Sequence, residues 1–186
     1  MTASTPPSAS YDAFRLSAVR RFASTAPQEV SCSELFESIL SMYQGRLVNS
    51  NVRIEKRKRD DRLFACFEGE IRQVLSNLVG NAVDAMHPHG GKLLLRSREA
   101  YDWRTGQKGV ALTVADTGTG MAPPVLSKIY DAFYTTKGIG GTGLGLWVSK
   151  EIVDRHRGTL LVRSSQKEGQ SGTVFNLFLP YDAASR

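Results

Sequence analysis

The chain has 186 residues, 41% of them hydrophobic and 23% charged, with a formal net charge of +6. That length gives one domain with a core of its own and room for a short appendage. No apolar stretch approaches the ~20 residues of a membrane span, the N-terminus has no apolar signal core, and two cysteines exclude a disulfide framework or a cysteine metal site. Cysteine usage of this kind points to a reducing, cytoplasmic setting.

In chain order, Met1–Ser10 is small, polar and proline-containing, and reads as a flexible tail. Tyr11, Phe14, Ala18, Val19 and Phe22 then recur at helical spacing, before a linker-like Ser24-Thr25-Ala26-Pro27. Residues 1–28 are therefore expected to be tail and linker, and residues 29–186 the compact domain. Ser33, followed by Glu34 and Glu37, opens a helix whose apolar face is Leu35, Phe36, Ile39, Leu40 and Tyr43. Val52–Glu55 and Arg62–Phe67 are strand candidates on either side of a basic run, Arg53, Lys56, Arg57, Lys58, Arg59 and Arg62. Such a run suits nucleic acid or an acidic partner, but Glu55, Asp60 and Asp61 interrupt it. It is read as a solvated hairpin, and nucleic acid is not an expected partner.

A helix over Glu70–Met86 gathers Ile71, Val74, Leu75, Leu78, Ala82, Ala85 and Met86 on one face. Gln73, Asn77, Asn81 and Asp84 form a narrow polar stripe opposite. Asparagine is a poor helix former, so two of them one turn apart are either an indifferent solvated face or the lining of a site for a cation or phosphates. Pro88-His89-Gly90-Gly91 ends this helix; Lys92–Arg98 and Gly109–Ala115 are strands about a turn at Arg104-Thr105-Gly106. Val110, Leu112 and Val114 share a face, and Asp116 continues their alternation out of the strand end. Residues 117–143 form a long glycine-rich segment with a short helix around Val125–Tyr130, and loops of this length inside a domain are usually functional. Leu144–Arg155 is helical, and Thr159–Arg163 and Gly172–Leu179 are closing strands joined by the turn Gln166–Gly169. The order predicts an α+β, two-layer α/β sandwich, a mixed and mostly antiparallel sheet covered on one face by about three helices.

Gly138-Ile139-Gly140-Gly141-Thr142-Gly143 satisfies a dinucleotide spacing but follows a long loop rather than a strand, so a Rossmann site is rejected, and no P-loop occurs. Gly141, Gly143 and Gly145 nevertheless lead into a helix start, where free N–H groups can receive phosphate oxygens. Asp116-Thr117-Gly118-Thr119-Gly120-Met121 places a carboxylate at a strand end, where the exocyclic amine of adenine would supply a donor; Gly118 and Gly120 would let the backbone approach a flat ring.

Taken in order, Asn77-Leu78-x-x-Asn81-Ala82-x-x-Ala85, Asp116-x-Gly118-x-Gly120, Phe133-Tyr134-Thr135-Thr136-Lys137 and Gly141-Thr142-Gly143-Leu144-Gly145-Leu146 resemble the N, G1, F and G2 boxes of sensor histidine kinases. These belong to the larger GHKL superfamily with its Bergerat-type ATP site. Gly172-Thr173-x-Phe175 with Leu179-Pro180 extends the match, which runs from Glu29 to Pro180. The resemblance implies a site for ATP and Mg²⁺. In it, Asn81 is the ligand of a Mg²⁺ ion at the phosphates, Asn77 is its neighbour, Asp84 continues that wall and Asp116 anchors adenine. Gly118, Gly120, Met121, Leu144, Gly145 and Thr173 belong to the nucleotide-binding motifs. Lys137 neutralises the terminal phosphates with help from Thr136 or Thr142, under a lid spanning residues 117–143. His156-Arg157-Gly158 departs from the family's His-Gly-Gly, and Tyr130-Asp131-Ala132 from its Phe-Glu-Pro.

Superfamily members that hydrolyse ATP carry a glutamate four residues before the Mg²⁺-binding asparagine, as general base. Here that position is Asn77, which cannot accept a proton at neutral pH. The pattern implies phosphoryl transfer to a histidine whose own domain brings the base. None of His87, His89 and His156 has an exposed helical His-Glu or His-Asp context, so all three read as turn histidines and the acceptor lies elsewhere. The expected partners are ATP, a phosphoacceptor histidine domain of the same parent kinase and, indirectly, a response regulator; Tyr11–Ala23 is a candidate stub of the dimerisation helix. The isolated domain is expected to be monomeric and its parent a homodimer. A stand-alone ATPase clamp and a binding-only nucleotide module are the competing readings.

Overall fold

The computed structural model describes residues 26–58, 61–138 and 141–183. The expected tail and the helical pattern of Tyr11–Phe22 lie outside the described residues, as do Arg59, Asp60, Ile139 and Gly140.

Strand β1 (Gln28–Val30) leads into helix α1 (Cys32–Asn49). The helix starts one residue after Ser31, not at Ser33. Ser31 Oγ accepts from Glu34 N at 3.2 Å and Ser31 N donates to Glu34 Oε2 at 2.8 Å, a reciprocal pair that satisfies two otherwise free donors. Ser33 instead donates from N and Oγ to Asp61 Oδ1, at 3.0 and 2.5 Å. Strands β2 (Val52–Lys58) and β3 (Phe64–Cys66) precede helix α2 (Glu68–Met86), which begins two residues earlier than its periodicity predicts. Strands β4 (Gly91–Asp102) and β5 (Gln107–Asp116) form a long hairpin about the expected turn. A single turn, α3 (Pro123–Leu126), interrupts the glycine-rich segment; helix α4 (Gly145–Arg155) and strands β6 (Thr159–Ser165) and β7 (Gly172–Pro180) complete the fold.

Five strands make one sheet in the order β2-β4-β5-β7-β6, and β1 pairs with β3 in a separate two-stranded sheet. The expected hairpin between β2 and β3 does not form. β2 runs parallel to β4, with Val52 opposite Gly91 and Lys58 opposite Ser97. Burial explains the choice: Phe64 and Cys66 are both fully buried, and pairing β3 onto β2 would carry it to the outer edge of the sheet, away from that cover. The two-layer sandwich itself is as expected. Leu93 and Leu95 of β4, Val110, Leu112 and Val114 of β5, and Phe175, Leu177 and Leu179 of β7 point to one face. There they meet Ile71, Val74, Leu75 and Leu78 of α2, Ile152 and Val153 of α4, and Leu35, Phe36 and Ile39 of α1 in one core. Ala85, expected on that face, is only partly buried and turns toward the site.

The end of α4 is tied to the start of α2. His156 is buried, donates from Nδ1 to Ile152 O at 2.8 Å and accepts the Phe67 N–H on Nε2 at 3.2 Å. Burial holds its pKa below the ordinary histidine value, so both ring nitrogens serve the fold as a neutral imidazole. Beside it, the buried Glu70 pairs with Arg155 at 2.6 Å. His87 and His89 are exposed past the end of α2.

Candidate functional site

A cavity of about 520 Å³ lies between the C-terminal half of α2, the end of β5, the start of β7 and the segment after β5. One end is apolar and buried, with Ile129 and Phe175 joined by Met121, Val125 and Leu146. The other end is open and charged, with Asn81, Asp84, Thr136 and Lys137. An elongated ligand with a flat apolar head and an anionic tail matches this gradient.

Asp116 marks the buried end. Its Oδ1 accepts from Gly118 N at 2.9 Å and Thr173 N at 3.3 Å. Burial pushes its pKa up to about 6, against those two donors, which pull the other way. Both bonds fall on Oδ1, which leaves Oδ2 for a donor in the cavity. Ser164 braces the wall behind it, accepting from Met121 N at 2.8 Å and lying 2.9 Å from Thr173 Oγ1.

The two glycines of the turn are pressed closely against protein backbone. A Cβ on Gly118 would lie 2.6 Å from the Ala85 carbonyl, and one on Gly120, at φ 68°, would lie 1.9 Å from Ser165 O. The close approach seen at both positions is to protein backbone, and Gly120 also lines the cavity. Gly118 does not line the cavity; it lets the turn after β5 press on α2, where Thr119 N donates to Ala85 O at 3.0 Å. Gly118→Ala is therefore expected to destabilise the fold by roughly 2–4 kcal/mol, a backbone clash with no flexible side chain to yield. Urea denaturation measures it, and an unchanged midpoint would refute the packing role.

At the charged end Lys137 reaches helix α2. Lys137 Nζ donates to Asn81 Oδ1 at 2.7 Å and to Asp84 Oδ2 at 2.6 Å. Arg46, from the last turn of α1, donates to the other oxygen of Asp84 and lies 5.5 Å from the Tyr43 ring centroid. Burial opposes ionisation of Asp84, but the Lys137 and Arg46 cations outweigh it and hold the carboxyl below its ordinary pKa. Arg46 was not legible as a site residue, since it comes from another helix at no motif spacing.

Asn77 makes its hydrogen bonds to protein. Its Nδ2 donates to Gly145 O at 2.9 Å and Ser149 Oγ at 3.0 Å, and its Oδ1 accepts from Gln73 Nε2 at 3.1 Å. The amide is consumed at both ends by protein and does not line the cavity; it fastens the first turn of α4 to α2. Leu144 is likewise outside the lining and donates its N–H to Thr142 Oγ1 at 3.4 Å. Gly141, Thr142, Gly143, Gly145 and Thr173 do line it, with Gly120, Met121 and Thr136. No side chain caps the first turn of α4, the feature that suits an anion. Sequence reasoning missed Thr119, Tyr134 and Thr135 as lining residues. Tyr134 and Thr135 stand inside the F-box match, so the signal was there.

Residues 67–183 match the family described as histidine kinase-, DNA gyrase B-, and HSP90-like ATPase. The chain is 33% identical over 154 residues to sporulation kinase E of Bacillus subtilis, covering 82% of this chain and 20% of that protein. It is 37% identical over 152 residues to the sensor kinase CckA of Brucella abortus, covering 76% of this chain and 16% of that one. Among solved structures, the nucleotide-free catalytic domain of histidine kinase ThkA superposes with a TM-score of 0.72 at 25% identity, over 87% of this chain and 100% of that one. The chain belongs to the histidine kinase-like ATPase family. Its compact part is an ATP-binding catalytic domain of the histidine kinase type, and it spans about a fifth or less of the two kinases named above.

Proposed function

We propose that this domain binds ATP with adenine on Asp116 and the triphosphate under Lys137, and transfers the γ-phosphoryl group to a histidine of its parent kinase. The acceptor nitrogen bonds to the γ-phosphorus as the bond to the β,γ-bridging oxygen breaks, ADP leaves, and the nitrogen's proton goes to a base on the acceptor's own domain. The observation that carries this reading is the state of the carboxylates. Among the described residues Asp84 and Asp116 are the only carboxylates that line the cavity. Asp84 is clamped between two cations and held below its ordinary pKa, a poor base for water, while Asp116 sits at the opposite, apolar end. Position 77, where a hydrolytic base would stand, is an asparagine locked onto α4. The domain is thus built to hold and orient ATP and to leave the proton to an incoming partner.

Among the described residues no three His, Cys, Asp or Glu side chains converge as a metal site. Asn81 Oδ1 accepts from the Lys137 ammonium at 2.7 Å with the Asp84 carboxylate beside it, and that amide oxygen fits a hard, oxygen-seeking cation that takes its remaining oxygens from phosphate and water. Mg²⁺ held there would supply charge neutralisation for the triphosphate. Lys137 would then turn from its α2 partners to the phosphate oxygens, and Thr136 and Thr142 would add hydroxyl donors.

No helix among the described residues is long and apolar enough to cross a membrane. The proposed setting is the cytoplasm, with the domain monomeric by itself, its parent a homodimer carrying the acceptor helix, and a response regulator as the onward recipient. The test offers the purified chain radiolabelled ATP with and without a histidine-bearing dimerisation domain. The expected product is an acid-labile, base-stable phosphoprotein, with little phosphate released when the acceptor is absent. Steady ATP turnover by the chain alone would overturn the reading in favour of an ATPase. Tight nucleotide binding without transfer to any supplied acceptor would favour a binding-only module.

A further inference from the structure

Among the described residues, the edge of the five-stranded sheet at β2 is open. β2 is paired, among the described residues, only on its β4 side, and none of the backbone groups of Val52–Lys58 bonds to anything beyond its outer edge. Beside that edge, between β2 and α1, runs a groove of about 370 Å³. Leu40 and Leu47 form its buried floor, and Val48, 73% exposed, and Ile54, 40% exposed, stand along its sides. The ion pair of Lys56 with Glu37, at 2.7 Å, lies on the same side of the strand.

Alternation puts the other side chains of β2 on the opposite face, which no helix among the described residues covers: Arg53, Glu55 and Arg57. Glu55 is spent on Arg57 at 2.5 Å and Lys92 at 3.2 Å. Among the described residues no carboxylate pairs with Arg53, so this side of the edge presents net positive charge.

An unpaired strand edge is a template for another strand, and cations along it are a common guard against self-association. Here they repel a second copy of β2, while the apolar groove beside them remains open. The two features together select a strand that is apolar on one face and acidic on the other. We propose that the β2 edge and its groove form a strand-addition site for an extended acidic segment of a partner protein. Alternate side chains of that segment are apolar and enter the groove against Val48 and Ile54; those between them are carboxylates facing Arg53 and Arg57. Main-chain bonds to the edge give affinity, and the alternation gives specificity. The site is separate from the nucleotide cavity, so it recruits a partner without occupying the place of ATP.

The probe is a capped heptapeptide alternating glutamate and valine, added to the 186-residue chain and followed by amide NMR and hydrogen exchange. The expected result is new protection of β2 amides with shifts at Val48 and Ile54. Binding should weaken at least tenfold in Arg53→Glu/Arg57→Glu and, separately, in Val48→Asp, both at exposed positions, with ATP binding unchanged in each. A peptide of the same composition in blocks, Glu-Glu-Glu-Glu-Val-Val-Val, should bind at least tenfold more weakly. Equal binding of the block peptide, no protection at β2, or retention of binding in either variant would overturn the proposal. So would tighter binding to this edge by a single-stranded oligonucleotide or by phosphatidylglycerol vesicles, since either would show a surface that reads charge alone. Failure of the phosphoryl-transfer test leaves these readouts unaffected.

Discussion

Asp116→Asn is expected to weaken adenine-nucleotide binding by about 100-fold while the domain stays folded. Asp116 Oδ1 already accepts two backbone N–H groups, from Gly118 and Thr173. In the variant the amide oxygen must take that place, because an NH₂ there would face two donors. The NH₂ then stands where Oδ2 was and meets the amine of adenine donor to donor. Loss of a charge-assisted hydrogen bond of about 1.5–3 kcal/mol corresponds to roughly 10- to 150-fold in affinity, and the donor clash adds to it. Titration sharpens the test. With its pKa at about 6 against protein partners alone, the carboxyl is mostly protonated at pH 5 and mostly ionised at pH 7. A donor from adenine favours the ionised form, so affinity should rise about tenfold from pH 5 to pH 7 and binding at pH 5 should release close to one proton. The stability of the empty domain has the opposite sign. A carboxyl whose folded pKa is raised contributes stability that is present at low pH and lost as pH rises from the unfolded value near 4 through about 6. Bound nucleotide should remove that loss. Calorimetry of ADP binding in buffers of different ionisation heat, with the Asn variant subtracting the titration of the phosphates, reads both effects. An affinity and proton count that Asp116→Asn leaves unchanged would refute the anchor.

Where the sequence was sufficient, a local period or a glycine cluster carried the information. The 3.6-residue repeat of α2 and the alternation Val110, Leu112, Val114 set which faces are buried, and the long glycine-rich segment marked the cavity's roof. Where it was insufficient, the deciding contact was distant in the chain. Nothing local in Val52–Lys58 says that it will lie parallel to Gly91–Ser97 rather than fold back on Phe64–Cys66. Ser31 and Ser33 are both good helix-capping residues, and Asp61 takes Ser33. Asn77 and Asn81 are four residues apart and so differ by about 40° around the helix axis. That angle is enough, given the position of α4, to aim Asn81 at the cavity and Asn77 at Gly145 and Ser149. Identical residue types on one stripe thus divide into a cavity-facing group and a brace between helices. Only the packing of α4 on α2 makes the distinction.

Asn81→Ala tests the other end of the site, and its expected effect is larger on transfer than on the fold. The position is half-buried on α2 and alanine is the better helix former, so thermal stability should hold or rise slightly. What the variant loses is the oxygen that shares Lys137 Nζ with Asp84. If that oxygen also serves Mg²⁺, nucleotide affinity should no longer respond to the metal, and phosphoryl transfer should fall by about 10²–10³-fold, the scale for removing one polar group that orients developing charge. Asp84→Asn separates this from a mere release of the lid. It breaks the ion pairs of Asp84 with Lys137 and Arg46 but leaves Asn81 in place. The lid should loosen in hydrogen exchange while the Mg²⁺ dependence of binding persists. Titration of each variant with ADP, with and without Mg²⁺, decides the matter: a metal response retained in Asn81→Ala, or lost in Asp84→Asn alone, would move the metal's protein ligand from Asn81 to Asp84.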